Sequence, residues 1–321
     1  MDNRQKAEEL LLLRNQARKA KNYTESDRLR TEIEQLGYKV EDTDDTSVLI
    51  ASTQEKVNVT TQIAIFGSGE SSPTGRRVHE ELVNDLPTPV FIALLMTPAG
   101  FEVNPYNWYK KLAAMLEVGL YNYKPQIELV EAFHNTGDRS VNNESVLSSL
   151  LSASYIHAGA GSPTYAARIL DNSKAYEFIS QRVESGVRLS LASAAAIAFS
   201  KYVLPVYEIY KAGEDLHWKK GLNFFSRYGL DISIIPHFNN TEGGVDIDTS
   251  FCYMGRDRFH ELRKLVPTEH VFIGIDEQTA CIFEPNTHQW SVSGTGGVHI
   301  LKGQGANTYI SGQSFHSDVL R

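Results

Sequence analysis

The chain has 321 residues, 41% hydrophobic and 22% charged, with 23 Gly and 11 Pro, the balance of a soluble globular protein with one large domain or two smaller ones. Its formal net charge of −8 argues against a general nucleic-acid binder, which needs a basic face, and leaves room only for a local basic patch. The two cysteines, Cys252 and Cys281, lie far apart without a second Cys or His at ligand spacing, which argues against a zinc site or a disulfide framework and for a reducing compartment.

Leu10 to Leu13 form an apolar stretch too short for the core of a signal peptide. No later run is long enough to span a bilayer, so the expectation is a cytoplasmic protein without membrane contact. Residues 1–36 read as helix. Leu10, Leu13, Ala17 and Ala20 recur at three-to-four spacing with Lys, Arg and Glu on the other face. Asn22-Tyr-Thr24 interrupts the pattern, and Thr24 with Asp27 offers a cap for a second helix over 24–36, with Leu29, Ile33 and Leu36 inward and Gly37 as its stop. Tyr38 to Val40 reads as a short strand and Glu41 to Asp45 as an acidic turn. The chain thus divides into a helical hairpin over 1–50, a polar linker over 51–61 and a large unit over 62–321. Fifty residues bury little core alone, so the hairpin is expected to dock on something.

From Gln62 short apolar runs alternate with helical stretches. The runs are Ile63–Phe66, Val90–Met96, Ile127–Val130, Tyr155–Ala158, Val187–Leu191, Ile232–Ile235 and Val271–Ile275. Strands apolar on both faces and separated by helices predict a doubly wound, mostly parallel α/β sheet. Thr279–Phe283, Gln289–Ser293 and Val298–Leu301 predict an antiparallel meander at one edge.

Function in open α/β sheets collects where strands end and helices begin. Three such places are rich in small residues, Phe66-Gly-Ser-Gly-Glu70, Ala158-Gly-Ala-Gly-Ser-Pro163 and Leu189-Ser-Leu-Ala-Ser193-Ala-Ala-Ala196. Ser193 stands between an apolar strand and an alanine-rich helix. A serine on so sharp a turn is pushed out of the sheet edge, and the N–H of Ala194 can face a developing oxyanion. The alternative is a serine that merely caps the helix. His237 ends a strand in a polar, glycine-rich loop, where it can serve as the serine's base. Asp276 and Glu277 end another strand, and either carboxylate can orient the imidazole. His157 lies within an apolar strand and reads as structural.

Taken together these segments resemble the dipeptidase E and cyanophycinase family of serine peptidases, which has the class I glutamine-amidotransferase-like fold. The resemblance runs from about Gln62 to Leu301. The family's Gly-x-Ser-Ala-Gly elbow is matched by Leu191-Ala-Ser193-Ala-Ala195, and its glycine-rich oxyanion loop by Ala158-Gly-Ala-Gly161-Ser162-Pro. Its Gly-Ile-Asp-Glu-x-Thr-Ala segment reappears as Gly274-Ile-Asp-Glu277-Gln-Thr-Ala280. The resemblance implies a cofactor-free hydrolase with Ser193, His237 and Glu277 as catalytic residues and the N–H groups of Gly161 and Ala194 as oxyanion hole. Leu191 and Ala195 stand where the family has glycines and add bulk at the elbow. The alternative is therefore a weak or inactive relative that binds a small molecule or acts beside tRNA.

Ser162, Asn239, Asn240, Glu242, Asp215, His217 and Arg256 are candidate substrate-binding residues. The acidic ones suit a cationic group and the arginine a carboxylate, so a small peptide or amino-acid conjugate would use both. Asp246 and Asp248 with His237 offer a metal site only weakly, and none is assigned. Residues 14–43 resemble the C-terminal tail of cysteinyl-tRNA synthetase, through Arg14, Arg18, Lys19, Lys21, Asp27, Arg28 and Arg30 followed by Leu36-Gly-Tyr-x-Val-Glu-Asp42. Its basic cluster can meet tRNA phosphates, or the segment can serve only for docking or dimerisation. A homodimer is the expected assembly.

Overall fold

The computed structural model describes residues 3–42, 47–51 and 60–321. Most of the expected linker and of the acidic turn falls outside them. The chain begins with α1 (Asn3–Lys19) and α2 (Tyr23–Gln35), followed by the antiparallel pair β1 (Tyr38–Asp42) and β2 (Ser47–Ala51). The cap of α2 is Asn22, whose side chain accepts from Glu25 N–H, rather than Thr24, because an Asx side chain reaches the third amide directly. The inner face of α1 also differs from expectation. Ala7 and Arg14 are buried and Leu13 is exposed, because Arg14 turns inward to meet the carboxylate of Asp42. A small core of Ala7, Ile33, Tyr38 and Val40 closes this layer.

The large unit continues with β3 (Ile63–Phe66), α3 (Pro73–Val83), β4 (Phe91–Leu95), α4 (Tyr106–Gly119), β5 (Gln126–Val130), α5 (Glu144–Ser152) and β6 (Tyr155–Ala158). Then come α6 (Pro163–Leu170), α7 (Lys174–Glu184), β7 (Arg188–Ala192), α8 (Ala194–Ala198) and the short pair β8 (Tyr202–Val203) and β9 (Lys219–Lys220). A π-helical turn, Tyr207–Lys211, lies between those two strands. Last are β10 (Ile232–Ile235), α9 (Gly255–Lys264), β11 (Val271–Ile275), β12 (Thr279–Glu284), β13 (Gln289–Gly294), β14 (Gly297–Lys302), β15 (Gly305–Ile310) and β16 (Ser314–His316). The N-terminal layer rests on this unit where β2 packs against α5.

The central sheet has eight strands in the order β16-β13-β12-β3-β7-β6-β4-β5. Its β3-β7-β6-β4-β5 half is parallel, and β12, β13 and β16 are antiparallel. Alternate residues of each strand feed different cores. Ile63 and Ile65 join one with α5 to α8, while Ala64 and Phe66 join the other with α3 and α4. Helices therefore cover both faces of a mixed α/β sheet.

Two expectations are corrected. β10 and β11 do not extend the central sheet, because the free edge of β3 is taken by β12. They form a second, four-stranded sheet in the order β10-β11-β14-β15. The expected meander is likewise divided, with β12 and β13 in the first sheet and β14 in the second. Gly294, at φ +136, makes the crossing possible, since a Cβ there would lie 2.4 Å from the carbonyl oxygen of Gln278. Among the described residues no helix is long and apolar enough to cross a membrane.

Candidate active site

The two sheets meet at the ends of β3, β7, β10 and β11. Gly67, just past β3, closes the junction by accepting the His237 N–H at 3.0 Å and donating to Thr279 at 2.9 Å. A Cβ at Gly67 would lie 2.2 Å from the carbonyl oxygen of Asp276, so only glycine allows this approach.

Ser193 follows β7 and precedes α8 with φ 48° and ψ −114°, a sparsely populated backbone region that persists only where its surroundings enforce it. It makes no side-chain capping bond to α8, which removes the simplest alternative for that serine. Its Oγ lies 3.1 Å from His237 Nε2, and His237 Nδ1 lies 2.9 Å from Glu277 Oε1. The hydrogen bond from His237 holds the Glu277 carboxyl below its ordinary range. A carboxylate only accepts, so Nδ1 carries the proton and Nε2 is free to accept from Ser193. Leu191 points into the first core and is fully buried, so its bulk does not occupy the elbow. Ala195 donates to the Gly159 carbonyl at 3.3 Å, tying the elbow to the glycine-rich loop.

Asn239 and Asn240 face Glu277 and are absent from the cavity beside Ser193. Asn240 Nδ2 donates to Glu277 Oε1 at 2.9 Å, and Asn239 Oδ1 accepts the Glu277 N–H at 2.8 Å. Asp276 turns away, to Gly297 N–H at 2.8 Å and His299 at 3.1 Å. His299 in turn stacks on Phe238, the residue after His237.

Gly161, Ser193, Ala194 and His237 open on one cavity of about 370 Å³, and Glu242 lies in its wall. The N–H of Ala194, first residue of α8, has no intrahelical acceptor by position. Gly161 at φ +144 is packed against Pro98, where a Cβ would meet the carbonyl oxygen at 2.0 Å. Ser162 caps α6 and lines a neighbouring cavity. Arg256 belongs to a separate surface pocket. His217 bonds the backbone of Asp215, and neither lines the Ser193 cavity. Among the described residues no His, Cys, Asp or Glu cluster of three could hold a metal ion, and Asp248 instead accepts from Ser250 and Arg256 N–H.

Beneath the site runs a buried polar chain. Because the Glu70 carbonyl only accepts, His79 Nε2 donates to it at 2.9 Å. Burial lowers His79 to about 4 and keeps it neutral, so its Nδ1 accepts from Tyr155, Tyr155 from Ser190, and Ser190 from His157 Nδ1. His157 Nε2 has no partner among the described residues, and burial depresses this imidazole as well. Burial of the Glu70 side chain raises its carboxyl, against the opposing pull of His237. Glu70 ends one of the three small-residue stretches at strand ends and His157 reads as structural, but no sequence spacing links them to His79, Tyr155 and Ser190.

The N-terminal cations are largely turned on their own layer. Arg14, 1% exposed, donates to both oxygens of Asp42 at 2.8 and 2.9 Å and to Ser47 at 3.0 Å. Arg18 joins the same carboxylate at 2.5 Å, and hydrogen bonding by Arg14 holds Asp42 far below the usual carboxylate range. Arg28 pairs with Glu25 and Glu32, and Arg30 with Glu34.

Residues 2–47 match the family profile of the cysteinyl-tRNA ligase anticodon-binding domain. The structure is similar to that of a peptidase from an acI-B1 Actinobacterium, with a TM-score of 0.63 and 23% identity over 80% of this chain and 97% of that one. A Listeria monocytogenes EGD-e protein described as a candidate peptidase E is more distant, at TM-score 0.45 and 15% identity over 78% of this chain and 98% of its own. No curated protein sequence matches the chain. The likeness to the actinobacterial peptidase is one of fold.

Proposed function

We propose that the large unit is a serine hydrolase that cleaves an exposed amide in a small peptide or amino-acid conjugate, and that its fold is the doubly wound, glutamine-amidotransferase-like one. The observation that carries the reading is the unbroken contact from Ser193 through His237 to Glu277, built on a serine whose backbone is held in a strained conformation.

In this mechanism Ser193 Oγ attacks the amide carbonyl as its proton passes to His237 Nε2. Glu277 holds the Nδ1 tautomer and stabilises the imidazolium that forms. Asn239 and Asn240 fix the carboxylate, which is a positioning role. The N–H groups of Ala194 and Gly161 receive the oxyanion. His237 then donates its proton to the leaving amine, and water hydrolyses the acyl-enzyme by the reverse use of the same groups. The rate of labelling by a fluorophosphonate tests this. Ser193→Ala and His237→Ala are each expected to slow it by about three orders of magnitude or more, and equal labelling of wild type and Ser193→Ala would refute the assignment.

For the N-terminal layer we propose docking on the large unit rather than tRNA binding. The reading rests on the internal pairing of Arg14, Arg18, Arg28 and Arg30, since a guanidinium already matched to a carboxylate gains little from a phosphate.

A further inference from the structure

The cavity that opens from Ser193 has a lining that amide hydrolysis itself does not require. Beyond the reacting groups it divides into a floor and a wall. The floor is Pro163, Ile197, Val206 and Cys252, all buried. The wall is Tyr207, Tyr210 and Tyr253. The Tyr210 and Tyr253 rings lie 5.5 Å apart, and Tyr253 lies 6.0 Å from the His237 imidazole, so an aromatic surface runs unbroken from the base outward.

Two unusual backbone segments build that surface. Tyr207–Lys211 is one π-helical turn, a wider turn of a kind that recurs at functional sites. It brings Tyr207, Tyr210 and Lys211 to the cavity together. Opposite, Phe251, Cys252 and Tyr253 have successive φ values of 53°, 57° and 69°, a left-handed turn that costs conformational energy at each residue. It is clamped to the base by Cys252 N–H to His237 O at 3.2 Å and Phe251 N–H to Phe238 O at 2.9 Å. The strained turn thereby puts Cys252 in the floor and Tyr253 in the wall.

The two charged side chains of the lining are turned on the tyrosines. Apart from His237, the ionisable chains are Lys211 and Glu242, together with the tyrosines and Cys252. Glu242 accepts the Tyr253 phenol at 2.8 Å, and the Lys211 ammonium lies 5.8 Å from the Tyr207 ring centre. Burial raises the Tyr207 and Tyr253 phenols and pushes the Cys252 thiol up to about 12, so all three stay neutral. Arg258 backs the Tyr210 ring from outside the lining and donates to the Met254 and Tyr253 carbonyls.

We propose that this cavity receives the side chain on the acyl side of the scissile amide and selects a flat aromatic or large aliphatic group over a charged one. An apolar floor with a neutral aromatic wall rewards desolvated carbon, and the two charges of the lining, Lys211 and Glu242, are held at the tyrosine wall rather than on the floor, where a charged side chain would lose its hydration. The inference rests on Ser193 being the nucleophile, and the test separates the two.

Diphenyl phosphonate esters of amino acids carry the chosen side chain beside an electrophilic phosphorus. Ser193 Oγ forms the new bond to phosphorus and phenoxide departs, taking the proton held by His237. The benzyl probe is expected to label at least about tenfold faster than the aminobutyl or carboxyethyl probe. Val206→Trp, which fills the floor, is expected to erase that preference, and if this variant does not fold, Tyr210→Leu is expected to slow the benzyl probe more than a methyl probe. Equal rates for the three side chains, or a faster aminobutyl probe, would overturn the pocket assignment while a side-chain-free fluorophosphonate still labels Ser193. Failure of that fluorophosphonate as well would overturn the nucleophile and the pocket together.

Discussion

The N-terminal layer and the α/β unit are held together by different physics. The first has a small apolar core, a cluster of Ala7, Ile33, Tyr38 and Val40 with Leu29 and Val48 also buried, and a buried arginine matched to a carboxylate does much of its organising. The second sandwiches a sheet between two large apolar cores; it too encloses an arginine, Arg188, that reaches out to Asp85, but its buried imidazoles, His79 and His157, are kept neutral. Where a core is small, an ion pair must specify the geometry. Where it is large, burial also sets the protonation state of the imidazoles it encloses.

The sharpest way to break the contrast is to open a hole in the large core beside the elbow. Leu191→Ala is expected to cost about 3–5 kcal/mol, because the fully buried leucine leaves a cavity on a strand that cannot collapse far. Denaturant unfolding reads this, and a loss under about 1 kcal/mol would mean that Leu191 is not a core residue.

Acid titration separates the regions next. His79 has its folded pKa depressed to about 4, so the unfolded chain binds a proton first. Stability is then full above the unfolded pKa of about 6.5 and falls as pH drops from there towards 4, by roughly 3 kcal/mol in all. Asp42 is a depressed carboxylate, so its contribution is present above its unfolded pKa of about 3.9 and is lost only below that. His79→Gln is expected to reduce the fall in melting temperature between pH 6.5 and 4 without abolishing it, because burial depresses His157 and His270 in the same direction. Asp42→Asn is expected to leave that slope in place, and an unchanged slope in His79→Gln would contradict the account.

Arg14→Met is expected to cost about 2–3 kcal/mol. This is less than for a fully buried pair, because Asp42 keeps contact with water. Hydrogen exchange should show the loss in α1, α2 and the β1–β2 pair while the central strands stay protected. The smallest expected effect is on RNA. Filter binding of tRNA at two salt concentrations is expected to give no measurable affinity, and micromolar binding that weakens with salt and disappears on removal of residues 1–50 would reverse the docking assignment.

Several parts of this architecture were legible because they depend on local pattern. The apolar runs from Ile63 to Ile275 mark the strands, and Ser193, His237 and Glu277 each stand just past one, so their approach in space follows from strand order. The assignment of β10 and β11 to a second sheet was not legible, since it depends on which strand wins the edge of β3. Asn239 and Asn240 read as substrate-binding candidates rather than as partners of Glu277, because a polar loop has no sequence mark for which way its side chains turn. Tyr207 to Lys211 has the composition of an ordinary helical turn, so nothing local announces the π geometry that lines the cavity. Arg14 looked like a solvent-facing cation because its partner, Asp42, is 28 residues away.

The central claim is that Ser193 is the nucleophile, and the direct measurement is to locate the covalent bond. Wild-type protein is treated with diisopropyl fluorophosphate at neutral pH, digested, and the adduct mapped by tandem mass spectrometry. The account predicts a single phosphoryl adduct on Ser193, formed far more slowly in His237→Ala. An adduct on another residue, or none at all while the protein remains folded, would contradict it.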